Sequence, residues 1–421
     1  MYNIYLKNIS EMVEKRKETG PILETNYLSS IIKSRRMELK LTLAQTTEHI
    51  CSEALLSKLE RNLMSSKNEK VALLCERLNL DYDNLINLET NDRIEKLLYY
   101  YFEDQFNEIL QIEDKICEDV FIAQDEIIKA YKYFINREFK KLHLCVIGLD
   151  NVKECLSDIE LFALLLIVLE YNLYSLQLKK AENYLKLLFQ LEIRNEKYSL
   201  FLKEKKFILH CINETREVEY LYCDINKNYN KFSMEKQFKF NLYYNQTMSS
   251  NHSYNYLVNM GKHYVPEQYL DEYKYAKAFV LTKMNNYIDA MKFIIESNVN
   301  HIKFASLYAY NLFMYQNTNP NEVDFKNYKY KLVSLIKICD QTPGEALHIS
   351  FLKLMQLEID KSNSDIICNF IKNQLLKELY GFSYPLYDEY IKDRYCLLLG
   401  KLCKYKEAYL YLLETKMDLK K

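Results

Sequence analysis

Glycine occurs six times and proline five times in a chain of 421 residues, about 2.6 % together against roughly 12 % in average usage. Turns that need a positive φ or the fixed φ of proline are therefore expected to be few. That counts against a β-sandwich or a propeller. The same shortage removes glycine-rich phosphate cradles: neither GxGxxG nor GxxxxGK[ST] occurs, so nucleotide-binding sheets lose their main signature. With 49 % hydrophobic residues the chain has ample material for a core, and the expected fold class is all-α.

Eleven cysteines without a CxxC pair fit neither a closed disulfide framework nor a zinc ribbon. Residues 1–20 are charged and lack an apolar stretch, unlike a secretory signal. The most apolar run, Leu161 to Leu169, is about half what a bilayer span needs. A cytoplasmic protein without membrane contact is expected.

Four blocks can be separated. Residues 1–26 form a charged helical extension that stops near Gly20-Pro21, because proline disfavours α geometry in the residue before it. Residues 27–88 read as five short helices, 28–40, 42–50, 53–62, 68–78 and 82–88. Leu43, Ile50, Leu55, Leu56 and Leu59 are spaced to pack two of them across a tight turn at Cys51-Ser52. Residues 89–119 read as one long linker helix with an apolar stripe of Ile94, Leu97, Leu98, Tyr101, Phe102, Phe106, Ile109 and Leu110. From 120 to 421, helix pairs recur at about 32 to 43 residues, the signature of a superhelical array.

The clearest repeats are Leu178 to Leu185, Asn285 to Ala290 and Lys404 to Leu410, each a polar break followed by Ala181, Ala290 or Ala408; weaker copies begin near 124, 200, 237, 301, 344 and 384. They resemble the middle of the tetratricopeptide repeat, where a small Ala lets two helix backbones approach. The resemblance implies a right-handed tetratricopeptide-like α-solenoid over residues 120–421. The repeats lack the Trp and nearly all the Gly and Pro of that consensus.

The most informative stretch is Glu48 to Asn62. Ser52 and Thr42 can cap the two helices that they precede, and Cys51 can serve as a small hydrophobe in the turn. Leu55, Leu56 and Leu59 face one way, Ser57, Lys58 and Arg61 another. The stretch resembles the Xre/Cro-type helix-turn-helix, in the variant of peptide-pheromone-responsive regulators of the Rgg, PlcR and PrgX type. There the turn is commonly Gly-Ile-Cys-Ser and the recognition helix ends Leu-Ser-Lys-Ile-Glu-Asn-Gly. Ile50, Cys51, Ser52, Leu56, Ser57, Lys58 and Glu60 match it, as do Ile32, Arg35 or Arg36, and Leu41-Thr42 upstream; His49 and Asn62 stand where that family has glycine.

The resemblance implies a DNA-binding homodimer on an imperfect palindrome. Ser52, Glu53, Ala54, Ser57 and Lys58 would lie nearest a major groove, with Lys33, Arg35, Arg36, Lys40, Arg61 and Lys67 available for phosphates. Residues 28–62 hold six basic against four acidic side chains, although the whole block is close to neutral. A helix-turn-helix kept only to dock a partner is the alternative.

The resemblance also implies a short signalling peptide in the groove of the array. Asn suits such a site because its amide both donates and accepts. Candidates on first helices are Tyr171, Asn172, Asn241, Tyr244, Asn245, Tyr275, Tyr308, Asn311 and Arg394. Tyr and Asn are abundant throughout, so each can equally be a packing residue. The seven histidines are dispersed and no HExxH occurs, so no metal, no cofactor and no enzyme activity are expected. The reading is quorum-sensing transcription regulation, with a non-catalytic scaffold, or a sensor acting on a protein partner, as the other classes.

Overall fold

The computed structural model describes residues 4–19, 27–64, 69–86, 93–113, 121–191, 195–319, 325–339 and 345–418. Every element among them is a helix. They pack as two compact units, Met1–Asn172 with Lys180–Leu202, and Leu173–Lys179 with Lys203–Lys421.

The first unit opens with α1 (Ile9–Thr19) and a five-helix head, α2 (Tyr27–Glu38), α3 (Leu43–Thr47), α4 (Glu53–Glu60), α5 (Glu69–Arg77) and α6 (Tyr82–Ile86). Leu28, Ile31, Ile32, Leu56, Leu59, Leu74 and Leu78 form its core, with Leu43 and Ile50 packed against them. The expected linker helix is broken into α7 (Arg93–Phe102) and α8 (Phe106–Gln111). Most of its stripe is nonetheless buried, Phe106 and Leu110 excepted: Phe102 stacks on Phe201 at 4.1 Å and Tyr101 meets Tyr131 edge-on at 4.9 Å. The unit continues through α9 (Ala123–Ile135), α10 (Phe139–Val152), α11 (Asp158–Tyr174) and α12 (Leu178–Gln190).

α1 has a packing role that the sequence does not announce. Ile4, Leu6, Ile9 and Val13 are buried, the Leu6 amide donates to Tyr184 Oη at 2.9 Å, and Arg16 pairs with Asp158 at 2.8 Å. The head is likewise tied down. α2 packs on α9 and α10, and Lys33 lies 3.5 Å from Glu154. Burial pushes the Cys155 thiol up to about 12, so it stays protonated and donates to the Glu60 carbonyl at 2.6 Å.

α13 (Glu196–Ile212) begins in the first unit and passes into the second at Lys203. The second unit goes on through α14 (Val218–Asn226), α15 (Met234–Met248), α16 (Asn251–His263), α17 (Leu270–Lys283), α18 (Tyr287–Ser297), α19 (Ile302–Thr318), α20 (Phe325–Ile338), α21 (Ala346–Ile359), α22 (Ser364–Phe370), α23 (Pro385–Lys401) and α24 (Tyr405–Asp418). α17 packs on α18 and α19, and α19 packs on α20 and α21. Ala290, Ala305, Tyr308, Phe351 and Tyr387 are fully buried between them. Gly261 is required by close approach, since a Cβ there would stand 1.9 Å from Tyr273 Oη.

The expectation of few positive-φ turns is overturned. Fourteen non-glycine residues among those described have positive φ. Most close a helix in one way: the amide of the left-handed residue donates three residues back and the next amide five residues back. At Arg137 these bonds are 3.0 and 2.8 Å, at Lys361 both are 3.0 Å, and at Cys403 they are 3.1 and 2.8 Å. Asp104 makes the same pair to Tyr101 and its successor to Tyr100, which ends α7 early.

In the helix pairs these residues are Arg137, Leu176, Glu214, Ser249 and Asn285, at intervals of 35 to 39 residues; Lys361 follows after 76, twice that spacing, and Cys403 after 42. A left-handed L-residue costs about 1 to 2 kcal/mol, and glycine gives back part of that through its freer unfolded chain. Lys361 and Lys353 are both exposed, but Lys353 lies inside α21. Lys361→Gly should raise stability in urea by about 0.5 to 1 kcal/mol, whereas Lys353→Gly should lower it by about 1 kcal/mol; a loss of stability at both positions would refute strain at the turn.

Candidate nucleic-acid and peptide interfaces

α4 owes its position to its two ends and its inner face. Thr42 Oγ1 accepts from the Gln45 amide at 3.2 Å while Gln45 Oε1 accepts from the Thr42 amide at 2.9 Å, a reciprocal cap on α3. The chain reverses through His49 at φ 61°. Ser52 Oγ then caps α4 by accepting from the Leu55 amide at 3.3 Å. Asn62, at φ 56°, closes it. His49 and Asn62 thus adopt the left-handed geometry at the two places where the resembled motif has glycine.

Leu56 and Leu59 enter the core, and Glu60 is buried against Arg36, with bonds of 2.6 and 2.8 Å. The opposite side is left to solvent: Ser52, Glu53, Ala54 and Lys58 are exposed, and Ser57 is half-buried. Arg77, which sequence reasoning passed over, donates to the carbonyls of Gln45 and Glu48 at 3.1 and 3.0 Å and so holds the turn.

The expected phosphate contacts divide. Lys40 is exposed. Arg61 is half-buried, its Nε donating to the Ser57 carbonyl at 3.1 Å. Arg35 is shared between Glu38, at 3.0 Å, and the Leu78 carbonyl. Arg36 is engaged with the buried carboxylate of Glu60, and Lys33 is turned to Glu154. Lys67 lies outside the described residues, as does the junction 89–92 expected to act as a pivot.

The second unit contains a cleft of about 120 Å³ lined from Leu176, Ile212, Leu242, Tyr243 and Gln246, and from Glu272, Tyr275, Lys303, His348 and Tyr384. From Ile212 onward these residues come from α13, α15, α17, α19 and α21 and from the start of α23, the first helices of successive pairs. A smaller recess beside it shares Ile212, Tyr243, Gln246 and Tyr384 and adds Glu214. Tyr275 Oη and Tyr384 Oη are 3.1 Å apart. Lys303 Nζ lies 4.9 Å from the centre of the Tyr275 ring.

Of the nine residues nominated for peptide, Tyr275 alone lines this cleft. Tyr171 packs edge-on against Phe139, and Asn172 donates to the Val168 carbonyl at 2.7 Å. Asn241 accepts from Tyr222, whose ring stacks on Tyr244 at 4.0 Å. Asn245 donates to the Asn241 carbonyl at 2.8 Å and Tyr308 to the Tyr328 carbonyl at 3.1 Å. Asn311 donates to Thr282 and Leu307 at 2.8 and 2.7 Å, and Arg394 chelates Glu358. These eight are engaged within the helix layers, because an amide or phenol can satisfy a neighbouring carbonyl as readily as a ligand.

Among the described residues no three His, Cys, Asp or Glu gather as metal ligands would, and no helix is long and apolar enough to cross a membrane. No protein family matches the chain, and neither does any curated protein. Among solved structures, it is similar to Bacillus thuringiensis PlcR in complex with the peptide PapR7 and DNA, at 12 % identity over 78 % of this chain and 98 % of that one, with a TM-score of 0.21. At that score the likeness says nothing about geometry or partners; the helix faces and the cleft bear on function by themselves.

His348 lines the cleft. Its Nδ1 is 2.7 Å from Tyr387 Oη. Burial, with His301 and Lys303 nearby, lowers its pKa to about 3, against about 6.5 for the unfolded chain. The unfolded state therefore binds the extra proton throughout that window, and stability falls as pH drops through it by up to about 1.4 kcal/mol per unit. Urea denaturation of the wild type and of His348→Gln between about pH 7 and about pH 4 should show their stability difference narrowing with acid; a constant difference would rule out a neutral buried ring.

Proposed function

We propose that the chain is a DNA-binding transcriptional regulator controlled by a short signalling peptide. The observation that carries this reading is the two-sidedness of α4. Its apolar side is locked into the head by Leu56, Leu59 and the Glu60–Arg36 pair, while Ser52, Glu53, Ala54 and Lys58 stand exposed along the other. A capped helix presenting polar side chains from its first turns suits a major groove.

In this reading residues 27–88 are an Xre-type helix-turn-helix, and the helix pairs form a right-handed tetratricopeptide-like array whose first helices carry the peptide cleft. The regulator is a cytoplasmic homodimer, non-catalytic, with its two α4 helices about 34 Å apart on an imperfect palindrome. Peptide acts through different affinities for two arrangements of the array. The ties of Lys33 to Glu154 and of Cys155 to Glu60 make the head move with α10 and α11.

One rival draws on a specific observation. Lys33 and Arg36 are committed to carboxylates, which weakens the attraction for phosphates that supplies most nonspecific binding. A head so depleted could instead dock a protein through the same α4 face. A gel shift with DNA from upstream of the chain's own gene, repeated at rising salt, separates the two. Regulation through DNA predicts a specific band, with Lys58→Ala weakening binding to all sequences alike and lowering the slope of log K against log salt by about 1. No specific band at low salt would leave the rival standing.

A further inference from the structure

We infer that the amino-terminal segment, residues 4–19, positions α4: Arg16 fixes the turn at 153–157, and the head is seated on that turn. Arg16 is a positioning residue, and its consequence for DNA rests on the reading of α4 as the helix that enters the groove.

Two sets of contacts meet on the turn. Arg16, buried, donates from Nη1 to Asp158 Oδ1 at 2.8 Å and from Nη2 to the carbonyls of Lys153 and Leu156 at 3.3 and 2.7 Å. Glu154 and Cys155, which lie between those carbonyls in the chain, go to the head instead. Glu154 is 3.5 Å from Lys33 of α2, and Cys155 Sγ donates to the Glu60 carbonyl at 2.6 Å. That carbonyl belongs to the last turn of α4, where carbonyls run out of partners within the helix.

The turn does little to hold itself. Its own backbone bond, from the Leu156 amide to the Lys153 carbonyl, is 3.4 Å long, at the weak end of the range. A planar guanidinium keeps its acceptors in a fixed relation. Fixing the carbonyls of Lys153 and Leu156 therefore fixes where Glu154 and Cys155 point.

The segment is seated without Arg16. Ile4, Leu6, Ile9 and Val13 are buried, the Leu6 amide donates to Tyr184 Oη, and the Lys7 amide donates to Asp150 Oδ1 at 3.1 Å. Apolar contacts and these two bonds would be enough for a cover. A buried guanidinium adds a desolvation cost, and what it brings here is a defined turn. Asp158 tolerates the loss of Arg16, because it opens α11, where a helix N-terminus favours a carboxylate.

In a dimer the bases of each half-site are read by α4 itself, whereas the distance between half-sites depends on how each α4 is held. Arg16 thus bears on spacing and leaves base preference alone.

The test labels the full chain with N-ethylmaleimide at neutral pH and follows each cysteine by peptide mass spectrometry. Cys155 reports the seat of the head, and Cys75, buried in the head's own core, reports its unfolding. Arg16→Gln should speed labelling of Cys155 by about tenfold or more with Cys75 unchanged. Tyr184→Phe, which removes the anchor at Leu6 and leaves the turn its contacts, should change neither. An equal rise at both cysteines in Arg16→Gln, no rise at Cys155, or the same rise in Tyr184→Phe would overturn the role of Arg16. In selection from random duplex DNA, the wild type should enrich paired half-sites at one spacing and Arg16→Gln the same half-sites at several; an unchanged spacing would also overturn it. A wild type that enriches no sequence would sink the DNA reading alone, and the labelling would still decide whether Arg16 holds the head.

Discussion

The helix reversal through a left-handed residue is the constraint on which the rest depends. A helix that stops in αL geometry turns its chain back within a few residues, and the next helix then packs antiparallel on it. Repeated at Arg137, Leu176, Glu214, Ser249, Asn285, Lys361 and Cys403, this reversal sets the spacing of the helix pairs. Glycine would accept the geometry without steric cost, but here Arg, Leu, Glu, Ser, Asn, Lys and Cys adopt it. At Arg137, Glu214, Asn285, Lys361 and Cys403 two successive backbone bonds, with the packing of the flanking helices, outweigh the strain. Glycine is kept instead at Gly261, where α16 and Tyr273 leave no room for a Cβ.

The same device frames α4. His49 and Asn62 reverse the chain before and after it, so the helix is short and its inner side chains are few. Leu56 and Leu59 bury apolar area, and Glu60 brings a carboxylate into the core that Arg36 neutralises. Burying that charge alone would be costly, so the arginine belongs to the head's architecture. What remains outward is small and polar, with one lysine. The head is held to α9 and α10 and, through Lys33–Glu154 and Cys155–Glu60, to the turn that follows α10.

In the second unit, the first helices of successive pairs converge on a small recess with apolar walls and a donor-rich floor. His348 is kept neutral there by burial, which leaves Lys303 as the cation bordering the cleft without a carboxylate of its own.

Local rules made much of this legible in the sequence. The 3.6-residue periodicity marked the helices, the capping residues Thr42 and Ser52 placed α3 and α4, and the spacing of the repeats survived as the spacing of the turns. Two readings failed for physical reasons. Scarce glycine was taken to mean scarce positive φ, but tertiary packing imposed that geometry on other residues. The stripe from Ile94 to Leu110 was read as one helix, but Asp104 ends it, because periodicity does not report backbone reversals. The cleft was out of reach altogether. Tyr171, Asn172, Asn311 and Arg394 had the right chemistry and sit on first helices, yet which side chain faces a neighbour and which faces a groove depends on helix rotation in the packed layers. Sequence determined the helices, their caps and their period through interactions within a few residues. The fold alone decided that Arg36 serves Glu60 and that Lys303, His348 and Tyr384 meet, because those contacts join residues dozens of positions apart.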